Sequence, residues 1–342
     1  MIAAAHRLLG IPILLWAAAA VSAEPRQPII DMHLHARAAD YAGANPPAMC
    51  TPFNIMPRSD PEAGIYEGMT FNAPPCASPI PAATSDEAVL AGTLAEMNHY
   101  NIFGVVSGEP ERVAQWVARD PRRVMPAVDY RLPGTSGARH VAPKSIDQLR
   151  ALHRAGRLIV IGEIMAQYEG VAVDDPRLDP LWALAVELDV PVAIHMGPGE
   201  PGNPYSGGGY RAALGDPLLL EPVLIKYPKL RVSIMHAAYP MADRLRALMF
   251  SYPHVYAEIG GIVYTEPRVA FYDFLKEVVD AGYGDRILFG SDQMIWPGVI
   301  GPSVKAIEDA PFLSAAQKRD ILYNNAARFL RLTPQQIAAH HR

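Results

Sequence analysis

Short apolar runs alternate with longer stretches of helical periodicity from Ile29 onward, and this alternation limits the possible folds more than any other feature. The runs rich in β-branched residues are Ile29–His35, Ile102–Ser107, Val124–Tyr130, Leu158–Ile164, Val190–His195, Arg231–His236, His254–Ile259 and Ile287–Asp292. Between them, apolar residues recur at helical spacing in Thr84–Asn98, Pro110–Ala118, Ser145–Ala155, Pro180–Leu188, Pro217–Tyr227, Met241–Ser251 and Pro267–Ala281. Such repetition is typical of βα units around a parallel sheet, so we predict an α/β fold.

The number of strands favours a closed (β/α)8 TIM barrel over an open, doubly wound sheet. Open sheets that bind nucleotides carry a Gly-rich turn after the first strand, whereas this chain has Ala36-Arg37-Ala38 there. The chain of 342 residues is long enough for one such barrel. We therefore predict a single barrel domain over residues 24–342.

Residues 36–83 depart from the repeat, because they are rich in Pro, Ala and Asn. The loop after the first strand of a barrel opens at the C-terminal face, so we expect this insertion to form a wall or lid over an active site. It also contains Cys50 and Cys76, the two cysteines of the chain. Neither has a His or Cys at zinc-finger spacing, and in an oxidising compartment a disulfide is the expected state of such a pair.

The first 23 residues have the pattern of a secretory signal peptide. His6 and Arg7 precede the apolar run 8–21, and Val21-Ser22-Ala23 provides small residues for cleavage. The alternative is an uncleaved anchor, but the run is shorter than the roughly 20 residues of a spanning helix. We predict a periplasmic or secreted protein with no stable membrane anchor after cleavage.

The net charge of −5 and the absence of a basic run disfavour a nucleic-acid partner, which needs cationic side chains for its phosphates. A small-molecule substrate is the expected partner. The sequence leaves the oligomeric state open, a homo-oligomer included.

His33 and His35 stand two positions apart in the first predicted strand. Side chains of a strand alternate between its faces, so both imidazoles point the same way and can share a divalent cation. Such a pair alone is as often structural as metal-binding. Its weight comes from ionisable residues at later strand ends, namely Glu163, His195, His236 and Asp292.

Each of these strand-end residues, taken singly, is more often a satisfied polar group than a ligand. A barrel brings the C-terminal ends of its strands together at its active site, and the residue types are those that bind zinc or a similar cation. We therefore predict a metal site formed by His33, His35, Glu163, His195, His236 and Asp292.

These motifs resemble the amidohydrolase superfamily, specifically the amidohydrolase-related (amidohydrolase 2) branch, which also contains decarboxylases and lactonases. The resemblance is carried by Asp31-Met32-His33-Leu34-His35, His195, His236, Gly290-Ser291-Asp292 and the closing segment 321–330, and it covers most of Ile29 to Leu332. It implies a metal-dependent enzyme on a TIM barrel.

The resemblance also implies residue roles. His33, His35, His195 and Asp292 match the metal ligands, and His236 matches a histidine that completes a second metal site or acts in catalysis. Glu163 stands where several members carry a carboxylated lysine, and it is similar to a metal-bridging glutamate of TatD-like deoxyribonucleases. Whether Glu163 is a ligand, and whether one metal or two bind, stays open. Zinc is the expected cation, with Mn²⁺ or Fe²⁺ as alternatives.

A cation at this site would activate water, and Asp292 would accept the proton of that water as a general base. His236 would polarise the substrate carbonyl, and Asp31 would orient the histidine pair. The candidate substrate-binding residues lie on loops after the strands: Arg211, Tyr168, Tyr239 and Trp296, with Tyr210 beside Arg211. Arg211 would pair with a substrate carboxylate, although a solvated surface arginine is the commoner case, and Tyr239 and Trp296 would serve equally as loop packing.

The leading functional hypothesis is hydrolysis of an ester, lactone or amide bond in a small molecule. The alternatives are non-oxidative decarboxylation of a small carboxylic acid and a non-catalytic metal- or ligand-binding barrel. Binding alone would not require both Asp292 and His236.

Overall fold

The computed structural model describes residues 26–62, 76–135 and 141–342. The predicted signal peptide lies outside these residues. Within them, no helix combines the length and the apolar character needed to cross a bilayer.

Eight parallel strands lie side by side in the order of the sequence. They are β1 (Ile29–Ala36), β2 (Ile102–Gly108), β3 (Val124–Tyr130), β4 (Val160–Ile164), β5 (Val192–His195), β6 (Val232–Met235), β7 (Val255–Glu258) and β8 (Ile287–Leu288). Hydrogen bonds close the sheet on itself, from Met32 N to Phe289 O at 2.9 Å and from Asp292 N to His33 O at 2.7 Å. The predicted α/β TIM barrel is confirmed.

The last strand is shorter than predicted. Its ladder with β7 covers Ile287 and Leu288, whereas the sequence pattern indicated a strand up to Asp292. From Phe289 onward the backbone bonds to β1 instead, and Leu34 forms a parallel bridge with Gln293. This change of partner places Asp292 beside the backbone of His33.

Helices surround the barrel between successive strands. They are α1 (Asp86–His99), α2 (Pro110–Arg119), α3 (Ile146–Arg154), α4 (Asp179–Glu187), α5 (Glu221–Lys226), α6 (Ala242–Ser251), α7 (Ile262–Thr265), α8 (Arg268–Val278), α9 (Ile300–Glu308), α10 (Ala315–Arg319), α11 (Asn325–Phe329) and α12 (Pro334–His340). Local signals fix several starts: the Ser145 side chain accepts a hydrogen bond from Gln148 N, which completes a capping box at α3.

The last two helices close the N-terminal end of the barrel. Arg231, just before β6, donates a hydrogen bond to Phe329 O of α11. His340 of α12 stacks on Phe103, near the start of β2, with ring centroids 3.7 Å apart. The opposite end, where the strands terminate, is left for the site.

The insertion after β1 packs against the C-terminal face. Cys50 and Cys76 form a disulfide, with Cα atoms 5.8 Å apart. Met49 and Ile80 pair in an antiparallel bridge, and Trp296 Nε1 donates a hydrogen bond to Pro47 O at 2.9 Å. The insertion is therefore tied to itself and to the loop after β8.

Candidate metal centre

The six residues predicted as metal ligands converge at the C-terminal ends of the strands. The register between β1 and β2 shifts by one residue between Asp31 and Leu34, the segment that contains His33 and directly precedes His35. His33 Nε2 and His35 Nε2 are 3.0 Å apart, and each side chain is about 1% exposed. The strand thus delivers two imidazole nitrogens to one point.

One group of donor atoms surrounds this point. Asp292 Oδ1 lies 3.3 Å from Nε2 of His33 and 3.3 Å from Nε2 of His35. Glu163 Oε2 lies 3.5 Å from His35 Nε2 and 3.9 Å from His33 Nε2. A carboxylate from β4 and one from the end of β8 therefore face the same histidine pair.

A second group uses the other oxygen of Glu163. Its Oε1 lies 2.6 Å from His195 Nδ1 and 3.6 Å from His236 Nε2, and these two nitrogens are 3.0 Å apart. Glu163 thus stands between two sets of nitrogen donors, and three of its neighbours are histidines whose side chains are almost fully buried.

The outer hydrogen bonds of the histidines leave lone pairs facing inward. His236 Nδ1 lies 2.8 Å from Gly260 O, and because a carbonyl only accepts, that nitrogen carries the hydrogen. His33 Nδ1 lies 3.0 Å from Glu258 Oε2, which is an acceptor when ionised. In the neutral form of each ring, Nε2 therefore carries the lone pair, and this is the form that binds a metal.

The spacing of the donors fits a divalent cation. Four ligands about 2.0–2.1 Å from a tetrahedral zinc ion lie about 3.3–3.4 Å from one another. His33 Nε2, His35 Nε2 and Asp292 Oδ1 form a triangle of 3.0, 3.3 and 3.3 Å. Glu163 Oε1 with the nitrogens of His195 and His236 forms one of 2.6, 3.0 and 3.6 Å. The first triangle is close to this spacing, whereas in the second the 2.6 Å edge between Glu163 Oε1 and His195 Nδ1 is a hydrogen-bond distance that would lengthen around an ion.

The electrostatics of the site favour positive charge. Burial opposes protonation of His33, yet Asp292, Glu258 and Glu163 raise its pKa to about 10. Burial likewise opposes ionisation of Asp292, but His33 and other histidines hold the pKa of this carboxyl below its usual value. The buried carboxylates therefore stabilise cations at this point, as a metal centre requires.

Sequence reasoning missed two carboxylates that support this site. Asp129 is the second-last residue of β3 and accepts a hydrogen bond from Glu163 N at 3.2 Å, and Glu258 ends β7 and contacts His33. Both obey the same strand-end rule that found the other six residues, so the signal was present. Asp31 Oδ1 accepts hydrogen bonds from His33 N and Ser291 N, each at 3.0 Å, and so holds β1 to the chain after β8.

A cavity of about 780 Å³ opens above the donor atoms. The insertion supplies part of its wall through Met49, Phe53 and Met56. Tyr168 and Tyr239, both predicted from the sequence to contact substrate, also line it. Tyr168 OH lies 3.2 Å from His195 Nε2, so this phenol adjoins the second group of donors.

Two other predicted substrate residues lie elsewhere. Arg211 is exposed and does not line the cavity, because buried Tyr210 holds the loop while the next side chain points to solvent. Trp296 is 2% exposed and packs under the insertion through its bond to Pro47 O. The arginine that does line the cavity is Arg37, which follows β1 and forms a buried ion pair with Asp129.

Comparisons with known proteins agree with this architecture. Protein fluG of Emericella nidulans is 24% identical over 191 residues, which are 49% of this chain and 22% of that protein. Similar solved structures include a TIM-barrel protein, Bb4693, from Bordetella bronchiseptica, with a TM-score of 0.59, 20% identity and coverage of 91% of this chain and 100% of that one.

Two further structures share the fold. A probable 2-pyrone-4,6-dicarboxylic acid hydrolase from Acinetobacter baumannii has a TM-score of 0.54, 15% identity and coverage of 90% and 100% of the respective chains. A 2,6-dihydroxybenzoate decarboxylase from Rhizobium has a TM-score of 0.52, 14% identity and coverage of 90% and 99%. The family model described as amidohydrolase matches residues 30–332, which include every candidate ligand, and the chain therefore belongs to the amidohydrolase family.

Proposed function

We propose that this chain is a metal-dependent hydrolase that cleaves an ester, lactone or amide bond of a small molecule, with two divalent cations held on either side of Glu163. The observation that carries the proposal is the position of this carboxylate. Its Oε2 faces His33 and His35, and its Oε1 faces His195 and His236. A group shared in this way suits a pair of cations better than one.

Two divalent cations held by these residues would favour hydrolysis, because they would orient a water and the bond that breaks and would lower the pKa of that water from 15.7 to about 7. The remaining work falls to residues of the chain.

Asp292 is suited to move the proton. Its Oδ1 contacts both β1 histidines, it lines the cavity, and its lowered pKa keeps it ionised at neutral pH. It accepts the proton of the water and returns it to the leaving group as general acid. His236 lines the same cavity and is placed to polarise the scissile carbonyl or to hold the second cation.

Non-oxidative decarboxylation is the second candidate. It is supported by the likeness of the fold to 2,6-dihydroxybenzoate decarboxylase and by the first group of donors, which alone suffices for one cation. In that reaction Asp292 would first take a proton from water and then deliver it to the carbon that loses CO₂. A single bound cation and CO₂ release would identify this reaction.

The proposed setting is the periplasm or the exterior of the cell, after removal of residues 1–23 as a signal peptide. The Cys50–Cys76 disulfide supports an oxidising compartment. Zinc is the expected cation, since four imidazoles and two carboxylates suit it well.

Metal content of the purified mature protein, measured by elemental analysis, tests the proposal. We expect two equivalents in the wild type and at most one in Glu163→Gln, which keeps the size of the side chain but removes its charge. Glu200→Gln is the matched control, because Glu200 lines the cavity outside the groups of candidate ligands. It should retain two equivalents.

Hydrolysis and decarboxylation are then separated by product. The same preparations are offered panels of aryl esters, lactones and aromatic carboxylic acids, with acid release and CO₂ release measured in parallel. Acid release that falls with Glu163→Gln supports the hydrolase. One equivalent of metal in the wild type, or CO₂ release alone, would overturn it.

A further inference from the structure

Arg37 differs from every other cationic side chain near the site. Among the described residues that line the cavity, it is the only Lys or Arg. Its side chain is 6% exposed, and it follows the metal-ligand pair of β1 by two residues. Burial of a cation costs free energy unless the cation is paired with an anion and its N–H groups are hydrogen-bonded.

The contacts of Arg37 fix its position. One guanidinium nitrogen, Nη1, pairs with Asp129 Oδ2, and the group lies 5.0 Å from the ring centroid of Tyr41. Asp129 is itself held, since its other oxygen accepts a hydrogen bond from Glu163 N. The guanidinium is therefore fixed before any ligand arrives, which reduces the entropic cost of binding.

The guanidinium still has hydrogen-bonding capacity. Arginine has five N–H donors, and Nε of Arg37 is buried with no hydrogen-bond partner among the described residues. A buried donor without an acceptor costs free energy that an incoming acceptor restores. A planar carboxylate matches the fork of donors of a guanidinium.

Other side chains of the cavity wall have the opposite charge. Asp60, Glu200 and Glu266 line it, and Glu266 is 8% exposed. A second anionic group on a substrate would therefore meet carboxylates and no Lys or Arg of the described wall. The apolar side chains Met49 and Phe53 also line the cavity and suit an uncharged substrate body.

We infer that Arg37 is the specificity-determining residue of the cavity, and that it selects a substrate with one carboxylate at the metal end and no second anionic group. This inference rests on the proposed function for the identity of the site. It transfers to Arg37 the carboxylate pairing that the sequence suggested for Arg211. The preferred substrate is a monoanionic, largely apolar ester, lactone or amide.

Binding of three probes to the metal-loaded protein tests the inference by calorimetry: benzoate, isophthalate and the neutral benzamide. The wild type should bind benzoate at least tenfold more tightly than benzamide or isophthalate. Arg37→Met should weaken benzoate binding about ten- to hundredfold and leave benzamide unchanged, because a charge-assisted hydrogen bond is lost. Arg211→Met, an exposed arginine on the same face, is the matched control and should bind as the wild type.

Two further variants keep the result decisive. Arg37→Met/Asp129→Asn removes both charges, so that no carboxylate is left buried and unpaired, and Asn keeps the acceptor for Glu163 N. Glu200→Gln/Glu266→Gln should raise the affinity for isophthalate severalfold. Unchanged benzoate binding in both Arg37 variants, or isophthalate bound as tightly as benzoate by the wild type, would overturn the inference. Metal content in the same samples reports separately on the proposed function.

Discussion

The two ends of the barrel bury different kinds of side chain. At the C-terminal end, the carboxylates of Glu163 and Asp292 lie within 3.9 Å of the His33 imidazole. At the N-terminal end, apolar side chains of the strands, including Ile30 and Phe103, pack against the closing helices. One end is organised by charge and the other by exclusion of water.

This difference separates stability from function. Packing of apolar groups stabilises the fold in proportion to the area removed from water, and it needs no ligand. Buried carboxylates and imidazoles cost free energy to desolvate and are fully compensated only by a cation. Substitutions at the N-terminal end should therefore change unfolding, and those at the C-terminal end should change metal and substrate binding.

Phe103→Ala should give the largest effect on stability. Phe103 is fully buried and stacks on His340, so its loss leaves a cavity that costs about 3–5 kcal/mol of unfolding free energy. Chemical denaturation measures this change, while the metal stoichiometry should stay at the wild-type value. Phe250→Ala, at a position 81% exposed, is the control and should shift stability by less than about 0.5 kcal/mol. Loss of metal in Phe103→Ala would break the separation between the two ends.

Replacement of both Cys50 and Cys76 by Ser should have the next largest effect. The disulfide closes a 26-residue separation within the insertion, and loss of that constraint costs about 2–4 kcal/mol. The loss should appear first as proteolysis within residues 36–83 and as weaker benzoate binding, because Met49 and Phe53 of the cavity wall belong to this segment. Metal content should not change, since the candidate ligands lie on the barrel strands and their ends. A proteolysis pattern equal to that of the wild type would show that the disulfide does not order the part of the insertion that lines the cavity.

Glu258→Leu should weaken metal binding without a comparable loss of stability. Glu258 is fully buried, accepts a hydrogen bond from Gly260 N and contacts His33 Nδ1. Removal of such an outer partner lowers metal affinity by about 10–100-fold. Competition with a chelator measures the affinity, and Glu258→Gln, which keeps an acceptor oxygen for His33, should recover most of it. Equal affinities in wild type and Glu258→Leu would show that Glu258 has only a packing role.

The sequence was informative wherever a residue sits at a fixed point of the repeating unit. Strand ends meet at one face of any closed parallel barrel, so His195 and His236 could be assigned to the site from their positions alone. The same rule would have found Asp129 and Glu258. β8 was predicted to extend too far, because the backbone after Leu288 changes its partner from β7 to β1. The local apolar pattern does not indicate which strand a segment pairs with.

Loop residues were less predictable. Arg37 and Arg211 both follow predicted strands, yet only Arg37 reaches the cavity. A loop has no periodicity that indicates which side chain turns inward. Arg37 turns toward the cavity because it pairs with Asp129 of β3, which is distant in sequence. The ion pair is a tertiary contact, so single-sequence reasoning could not select between the two arginines.

The smallest predicted effect is a pH dependence that arises at the N-terminal end. Burial against Phe103, together with His341, Arg122 and Arg123, lowers the pKa of His340 from 6.5 to about 4. Between these pKa values the unfolded chain binds a proton at His340 that the folded protein does not bind. The contribution of neutral His340 to the free energy of unfolding is therefore complete above pH 6.5 and is lost as pH falls from 6.5 to 4. Because His340 is only partly buried, we expect roughly 1 kcal/mol over this window.

His340→Phe keeps an aromatic ring on Phe103 but cannot titrate, so it isolates this contribution from the histidines of the metal site. Unfolding free energies of the two metal-free proteins, measured between pH 7.5 and 4.5, should differ by an amount that grows as pH falls, with the variant the more stable. The metal-site carboxylates and histidines titrate in both proteins and cancel in the difference. A difference independent of pH would mean that His340 is protonated in the folded state, and that water reaches the closing helices at this end of the barrel.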